Sequence, residues 1–250
     1  MRNFLECGVK YVLANLKSYA LDVLPYVNYL EQNLDSRLAP FITLFPPLLT
    51  LEKFRSSQHF QLGVQNAYPA LEGAFTGEIT LKALQDQKIE TVLIGHSERR
   101  LLLKESLEMC RAKFDFYKDQ GFRIVFCVGE SLEVRQKGLE TLLEFLTNQL
   151  AGIDVSYPKL ILAYEPIWAI GTGVSAQIKE IEQTLEHLKG VLKSTQGVTP
   201  FIVYGGSVQL NNVEEILNIP AVDGVLVGKA SLKAKDLLEI IKISSTKEFA

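Results

Sequence analysis

The chain has few cysteines and histidines, and their arrangement excludes two kinds of site. Its three cysteines, Cys7, Cys110 and Cys127, stand far apart among 250 residues, and none belongs to a CxxC pair. An odd, dispersed set argues against a disulfide framework and favours a reducing compartment. The three histidines form no cluster with cysteine at metal-ligand spacing. The sequence therefore predicts neither a disulfide scaffold nor a metal site.

Long apolar runs and blocks of basic charge are also missing. The longest apolar stretch, Leu38 to Leu51, is short and contains three prolines, so it does not predict a membrane span. The opening segment MRNFLECG lacks a signal-peptide apolar region because Glu6 interrupts it. The net charge is −3 and no block of Lys and Arg occurs, so neither nucleic acid nor a membrane is expected as a partner. We expect a cytoplasmic protein.

Eight short apolar runs, each followed by a longer amphipathic stretch, organise the chain. Most of the runs are apolar at both odd and even positions, which is typical of parallel strands buried on both faces. Eight strand–helix units in a chain of this length predict an α/β fold, a closed (β/α)8 barrel in a single domain over 1–250. The alternative, a doubly wound open sheet, normally has a glycine-rich first turn, and no GxGxxG follows the first run. The runs cover 11–15, 41–45, 61–65, 91–95, 123–129, 160–164, 201–206 and 224–228.

Polar residues that follow the first and fourth runs are candidates for chemistry, because active sites of such barrels lie at the carboxyl ends of the strands. Lys17 comes two residues after Asn15 and could neutralise an anionic substrate, although a solvated loop lysine is the alternative. His96 leaves the fourth run at the start of a predicted helix. The positive end of the helix dipole favours a neutral imidazole. Such an imidazole can donate a hydrogen bond to a developing oxyanion.

The segment AYEPIWAIGTG at 163–173 predicts a base beneath a hinged lid. Glu165 directly follows the sixth run, Pro166 stops the strand, and an apolar stretch leads to Gly171 and Gly173. A carboxylate at a strand end followed by a loop with glycine at its far side is what a catalytic base on a closing loop requires. The alternative is an ordinary strand-to-helix turn beside a surface Glu.

Small residues follow the last two runs, in YGGS at 204–207 and VGKAS at 227–231. Backbone N–H groups can approach a dianion closely only where side chains are small. Barrels often bind phosphate at the loops after strands seven and eight. Each turn alone would indicate only a tight turn, but the two together predict a phosphate site.

Over nearly its whole length the chain resembles the triosephosphate isomerase family. The resemblance rests on AYEPIWAIGTG at 163–173, GHSERR at 95–100, YGGSV at 204–208 and GVLVG at 224–228, which occur in the family order. It implies a TIM barrel without metal or organic cofactor. The implied activity is the interconversion of dihydroxyacetone phosphate and D-glyceraldehyde 3-phosphate through an enediolate, in glycolysis and gluconeogenesis.

The resemblance also implies a role for each candidate residue. Glu165 would be the general base that moves a proton between two carbons, and His96 would polarise the carbonyl and shuttle the hydroxyl proton. Lys17 would stabilise the enediolate and the phosphate charge, and Asn15 would help to hold the oxygens. The backbone N–H groups expected on the phosphate belong to Gly171, Ser207, Gly228 and Lys229.

The loop GAFTGEI, from Gly73 to Ile79, implies a homodimer. In the family this loop reaches into the partner subunit, where Thr76 would support Asn15 and His96. The alternative is a glycine-rich surface loop. In that case Phe75 would be exposed between two glycines, which is unfavourable.

Several positions depart from the family pattern, and the motif at the first strand reads NLKSY rather than the usual NWKMN. Lys229 and Lys104 each stand where a glycine is usual, and Val174 stands where a Lys is common. We expect the Lys229 side chain to point away from the phosphate.

Two other functions are compatible with parts of the sequence. A sugar-phosphate aldolase or another phosphate-binding barrel enzyme would share the phosphate turns, and a non-catalytic barrel would share the fold. A Schiff-base aldolase needs a Lys buried at a strand end, and no run carries one. A binding protein has no need of a base beneath a lid. Lys17, His96 and Glu165 together therefore favour the isomerase.

Overall fold

The structure is a computed structural model that describes residues 8–54, 57–170 and 176–245. Each of the eight predicted runs contains a strand, and most strand residues are fully buried, as expected for strands covered on both faces. The strands are β1 Tyr11–Asn15, β2 Ile42–Phe45, β3 Gln61–Leu62, β4 Thr91–Ile94, β5 Arg123–Val128, β6 Leu160–Tyr164, β7 Phe201–Tyr204 and β8 Gly224–Val227.

The strands form one parallel sheet that closes on itself. Its order is β3-β2-β1-β8-β7-β6-β5-β4, and every pairing is parallel. A parallel bridge between Val64 and Val92 joins the two ends of that order, beside β3 and β4. The predicted (β/α)8 barrel is confirmed, while the single domain over 1–250 stays a prediction. Closure leaves no exposed sheet edge and gathers all eight carboxyl strand ends on one face.

Nine α-helices in the described ranges surround the barrel, and none of them is long and apolar enough to cross a membrane. The longest, α7, buries Ile181, Leu185, Leu188 and Leu192 at intervals of three or four residues, which is one face of a helix. The helices are α1 Val23–Asn33, α2 Leu81–Asp86, α3 Ser97–Leu102, α4 Leu107–Asp119, α5 Leu132–Gln136, α6 Leu139–Gln149, α7 Ile178–Gln196, α8 Val213–Leu217 and α9 Ala234–Ser245. Four 3₁₀-helices cover Ser36–Phe41, Leu48–Phe54, Ile167–Ala169 and Lys229–Leu232.

Several predicted runs are longer than the strands they contain, because their last residues turn away from the sheet. Gly95, Gly129 and Gly205 were predicted as strand residues and lie just beyond β4, β5 and β7. Gly95 has φ +72°, a left-handed conformation that suits glycine. A Cβ on Gly129 would lie 1.8 Å from the carbonyl oxygen of Glu165, so only glycine fits there. These glycines belong to the face where the candidate residues lie.

Lys104, which replaces a glycine of the family pattern, has φ +58°. A left-handed conformation costs a residue with a Cβ on the order of 1–2 kcal/mol. Glycine avoids this cost, but it loses more conformational entropy on folding, which offsets about half of the gain. We therefore expect Lys104→Gly to raise the free energy of unfolding by about 1 kcal/mol, measured by urea denaturation. Lys179→Gly, in the first turn of α7, is the matched control and should lower it. A fall in stability for both variants would contradict this account of Lys104.

Candidate active site

A cavity of about 770 Å³ opens at the carboxyl ends of the strands. It is lined by Asn15, Lys17, His96 and Glu165, which come from the ends of β1, β4 and β6. The barrel thus brings these four candidates together from positions up to 150 residues apart in the chain. Gly171 and Val174 lie outside the described residues. The wall also includes Ile170, Gly205, Gly206, Ser207, Leu226, Gly228 and Lys229.

Glu165 is fully buried at the end of β6 and its carboxylate has two partners at the start of α3. The N–H of Ser97 donates to Oε2 at 2.9 Å. The Nε2 atom of His96 lies 3.1 Å from Oε1. The carboxylate and the imidazole are therefore in contact before any substrate binds. The sequence patterns did not identify Ser97 as a partner of Glu165.

His96 has a defined tautomer. It is the residue before α3, and its Nδ1 accepts a hydrogen bond from the N–H of Glu98 at 3.2 Å. A nitrogen that accepts carries no proton, so the proton of a neutral ring is on Nε2. Nε2 is the atom that faces Glu165. A neutral imidazole in this place would therefore donate from Nε2 towards the cavity.

Lys17 is held in a left-handed conformation, with φ +51°. Asn15 Oδ1 accepts from its N–H at 3.0 Å, and Gln65 Nε2 donates to its carbonyl oxygen at 2.7 Å. These two side chains fix a conformation that is unfavourable for a residue with a Cβ, as is common at functional sites. The ammonium forms an ion pair with Glu98. Glu98 is thus a second neighbour that the sequence patterns did not single out.

Glu130 lies just beyond the end of β5 and is fully buried. Its Oε1 accepts from Trp168 Nε1 at 2.9 Å and from the Tyr164 hydroxyl at 3.1 Å. Burial raises the pKa of Glu130, and the two hydrogen bonds, together with the nearby charge of Arg135, lower it in part. This carboxyl therefore resists ionisation in the folded protein.

The raised pKa of Glu130 predicts a pH dependence of stability. The folded state favours the protonated carboxyl. Protonated Glu130 therefore makes its full contribution to the free energy of unfolding below the unfolded-state pKa of about 4.3. That contribution is lost as the pH rises through the folded-state pKa. Glu130→Gln keeps an oxygen for Trp168 and cannot ionise. We expect the free energy of unfolding of the variant, relative to the wild type, to increase between about pH 4 and pH 7.

Urea denaturation at a series of pH values measures this difference. Glu133→Gln is the matched control, because the Glu133 side chain is 81% exposed on the neighbouring helix α5. The free energy of unfolding of Glu133→Gln, relative to the wild type, should not change with pH. A flat difference for Glu130→Gln as well would contradict the assignment.

The turns after β7 and β8 both contain glycine, and Gly206 in the first of them has no room for a side chain. A Cβ on Gly206 would lie 2.2 Å from the Tyr204 hydroxyl. Asn212 Nδ2 donates to the carbonyl oxygen of Ser207 at 2.9 Å, which fixes the turn after β7. Gly228 adjoins Lys17, whose Cε lies 3.4 Å from the place of a Cβ. Lys229 is exposed, and the direction of its side chain stays a prediction.

Comparison with known proteins identifies the family. A family model described as triosephosphate isomerase matches residues 10–244. The chain belongs to the triosephosphate isomerase family. A curated relative named triosephosphate isomerase from Wolinella succinogenes is 51% identical over 201 residues, which is 80% of this chain and 84% of the relative. One from Helicobacter pylori is 49% identical over 236 residues, 93% and 98% of the two chains.

Membership of the triosephosphate isomerase family agrees with the residues that line the cavity. In the part of the chain that the structure describes, no group of three or more His, Cys, Asp or Glu could hold a metal ion. The polar groups around the cavity include hydrogen-bond donors and the buried carboxylate of Glu165. Such a set is suited to moving protons and stabilising charge on oxygen.

Proposed function

We propose that this chain interconverts dihydroxyacetone phosphate and D-glyceraldehyde 3-phosphate through an enediolate. The observation that carries the proposal is the contact between Glu165 and His96 within a cavity that Lys17 also lines. A base, a neutral donor and a cation are the three groups that proton abstraction beside a carbonyl requires. The base takes the proton, and the other two stabilise the charge that develops on oxygen.

Glu165 is proposed as the base that moves the proton between the two carbons. A solvated Glu has a pKa of about 4.3 and is a weak base. In this chain the carboxylate is fully buried, and Ile170 and Leu226 line the same cavity. Closure of apolar side chains over a carboxylate removes its water and raises its basicity. Closure would also protect the enediolate, from which phosphate is lost when it is exposed to water.

His96 is proposed to polarise the carbonyl and to carry the hydroxyl proton. Its Nδ1 is occupied by the N–H of Glu98, so Nε2–H is the donor that can serve a substrate oxygen. One preorganised donor of this kind is worth about 3–4 kcal/mol in the transition state. A donor that lies within reach of both substrate oxygens can give up and regain its proton within one turnover.

Lys17 and Asn15 are proposed to bind the substrate oxygens and the phosphate. The side-chain oxygen of Asn15, Oδ1, accepts a hydrogen bond from the N–H of Lys17. The side-chain nitrogen, Nδ2, is therefore the group that can donate to a substrate oxygen. Lys17 supplies a positive charge beside the Gly228 turn. The phosphate would be bound by backbone N–H groups, which approach an anion closely where side chains are small. These are the N–H groups of Gly171, Ser207, Gly228 and Lys229.

We also propose a cytoplasmic homodimer built on the loop from Gly73 to Ile79. That loop is mostly exposed, and the ring of Phe75 packs on Tyr68 at 4.5 Å between centroids while staying 36% exposed. Leu48 and Leu49 are 51% and 95% exposed nearby, and such apolar surface favours an interface.

Sedimentation should give twice the chain mass, and Phe75→Glu should shift it towards the monomer. A monomeric wild type would contradict the proposal. The free, buried Cys110 and Cys127 support a reducing compartment.

A coupled assay tests the activity. Purified protein is incubated with D-glyceraldehyde 3-phosphate, and the formation of dihydroxyacetone phosphate is followed without added metal. We expect rapid conversion that persists in the presence of a chelator. Lack of turnover by the wild-type chain would reject the proposed function.

A further inference from the structure

Gln149, the last residue of α6, is a buried polar side chain that the proposed reaction does not use. It is 3% exposed and its amide makes three hydrogen bonds. Oε1 accepts from the N–H of Gly129 at 3.1 Å and from Arg100 Nη1 at 2.6 Å, while Nε2 donates to the Gly129 carbonyl oxygen at 2.9 Å. One side-chain amide therefore holds both backbone polar groups of Gly129.

Gly129 is packed directly against the backbone of Glu165. A Cβ on Gly129 would lie 1.8 Å from the Glu165 carbonyl oxygen and 2.7 Å from its carbonyl carbon. Its neighbours bond the same segment, since the N–H of Glu165 donates to Val128 O at 2.8 Å and Ile167 N donates to Glu130 O at 3.0 Å. Close-packed backbones transmit displacement. The position of Gly129 therefore sets the position of the Glu165 Cα.

Arg100 extends the same set of bonds to the carboxylate of Glu165. Arg100 lies on α3, whose first residue, Ser97, donates its N–H to Glu165 Oε2 at 2.9 Å. Arg100 Nε and Nη2 are buried and have no hydrogen-bond partner in the described ranges. Gln149 Oε1 is thus an important acceptor for a guanidinium with few other partners. Loss of this acceptor would leave Nη1 of the partly buried Arg100 without this hydrogen bond as well. Because a buried donor without a partner is costly, α3 would then tend to move.

We propose that Gln149 is a positioning residue for Glu165. It joins the backbone segment behind Glu165 to the helix that holds its carboxylate, and so fixes the carboxylate relative to His96. The inference rests on the proposed role of Glu165 as the base. Displacement of a reacting group by about 1 Å can cost on the order of 100-fold in rate. A residue that never touches substrate can therefore control the proton-transfer step.

Gln149→Met tests the proposal, because Met is similar in length and makes none of the three bonds. We expect kcat to fall by about 10- to 100-fold, with KM unchanged within about twofold, since the phosphate contacts lie on other strands. The isotope effect on kcat with substrate deuterated at the carbon that loses the proton should rise, because proton transfer becomes more rate-limiting. A purely structural role would not change that isotope effect.

Leu146→Ala is the matched control, since Leu146 is fully buried on the same helix and contacts none of these groups by hydrogen bonds. It should lower Tm at least as much as Gln149→Met while keeping kcat and the isotope effect. Gln149→Glu keeps an acceptor for Arg100 and loses the donor to Gly129, and it replaces Gln149→Met in the assay if that variant does not fold. It should show the same rise in isotope effect.

Two results would overturn the inference: an unchanged kcat and isotope effect in the Gln149 variants, or an equal loss of kcat in Leu146→Ala. Glu165→Gln in the same assay separates this inference from the proposed function. If the wild type shows no turnover, the proposed function fails. If Glu165→Gln keeps the wild-type rate, Glu165 is not the base and the premise of this inference fails. If it loses the rate while Gln149→Met keeps it, only the role of Gln149 fails.

Discussion

Glu165→Gln is expected to lower kcat by about 10²- to 10⁴-fold, which is the range that a positioned general base contributes. The amide has the size of the carboxylate but cannot accept a proton at neutral pH. Its oxygen can still accept from the N–H of Ser97, so the start of α3 should keep its geometry. The measurement is the initial rate of conversion of D-glyceraldehyde 3-phosphate, with thermal unfolding followed in parallel.

Glu165→Asp separates the presence of the base from its placement. The shorter side chain still ionises, but it withdraws the carboxylate by about one carbon–carbon bond from its place 3.1 Å from His96 Nε2. We expect a loss smaller than that of Glu165→Gln, because the base remains but is misplaced. If Glu165→Asp and Glu165→Gln both kept the wild-type rate, Glu165 would not be the base.

His96→Phe is expected to lower kcat by about 10²- to 10³-fold, the cost of removing one oxyanion donor. The phenyl ring keeps a planar side chain in the same place but has no Nε2–H for the carbonyl oxygen. It also leaves the N–H of Glu98 without the acceptor that Nδ1 provides. We therefore expect a modest loss of stability beside the loss of rate, measured by urea denaturation.

His187→Phe is the matched control, because His187 is exposed on α7, away from the cavity. It should leave the rate unchanged. His96→Gln keeps an N–H donor and should recover part of the rate that His96→Phe loses. A full wild-type rate in His96→Phe would exclude His96 from the chemistry.

Much of the barrel was predictable because hydrophobic periodicity is a local signal. The run at 160–164 is β6 without any change of bounds, and the run at 11–15 is β1. The run at 61–65 was less accurate, because β3 covers only Gln61–Leu62 and the chain then continues through the bridge at Val64. Strand ends were harder to predict than strands, since glycines such as Gly95 leave the sheet while their neighbours stay apolar.

The site was predictable in its residues and much less so in their contacts. Each candidate follows a strand, and the rule that barrel chemistry lies at carboxyl strand ends needs only that order. One partner of the Glu165 carboxylate is the backbone N–H of Ser97, 68 residues away. A backbone donor leaves no trace in residue type, so no pattern could have indicated it. Gln149 was hidden in a different way, as one polar residue at the end of an amphipathic helix.

The sequence by itself therefore determined the eight-stranded barrel, the candidate side chains and their common face. Local rules suffice for these, because the hydrophobic periodicity, the positions of glycines and the polar residues at strand ends can all be recognised from residues close together in the sequence. Only the tertiary structure decided that His96 Nδ1 accepts from the N–H of Glu98, that Lys17 pairs with Glu98, and that Gln149 holds Gly129 behind Glu165. These facts depend on distances between groups from different strands and helices, which packing alone determines.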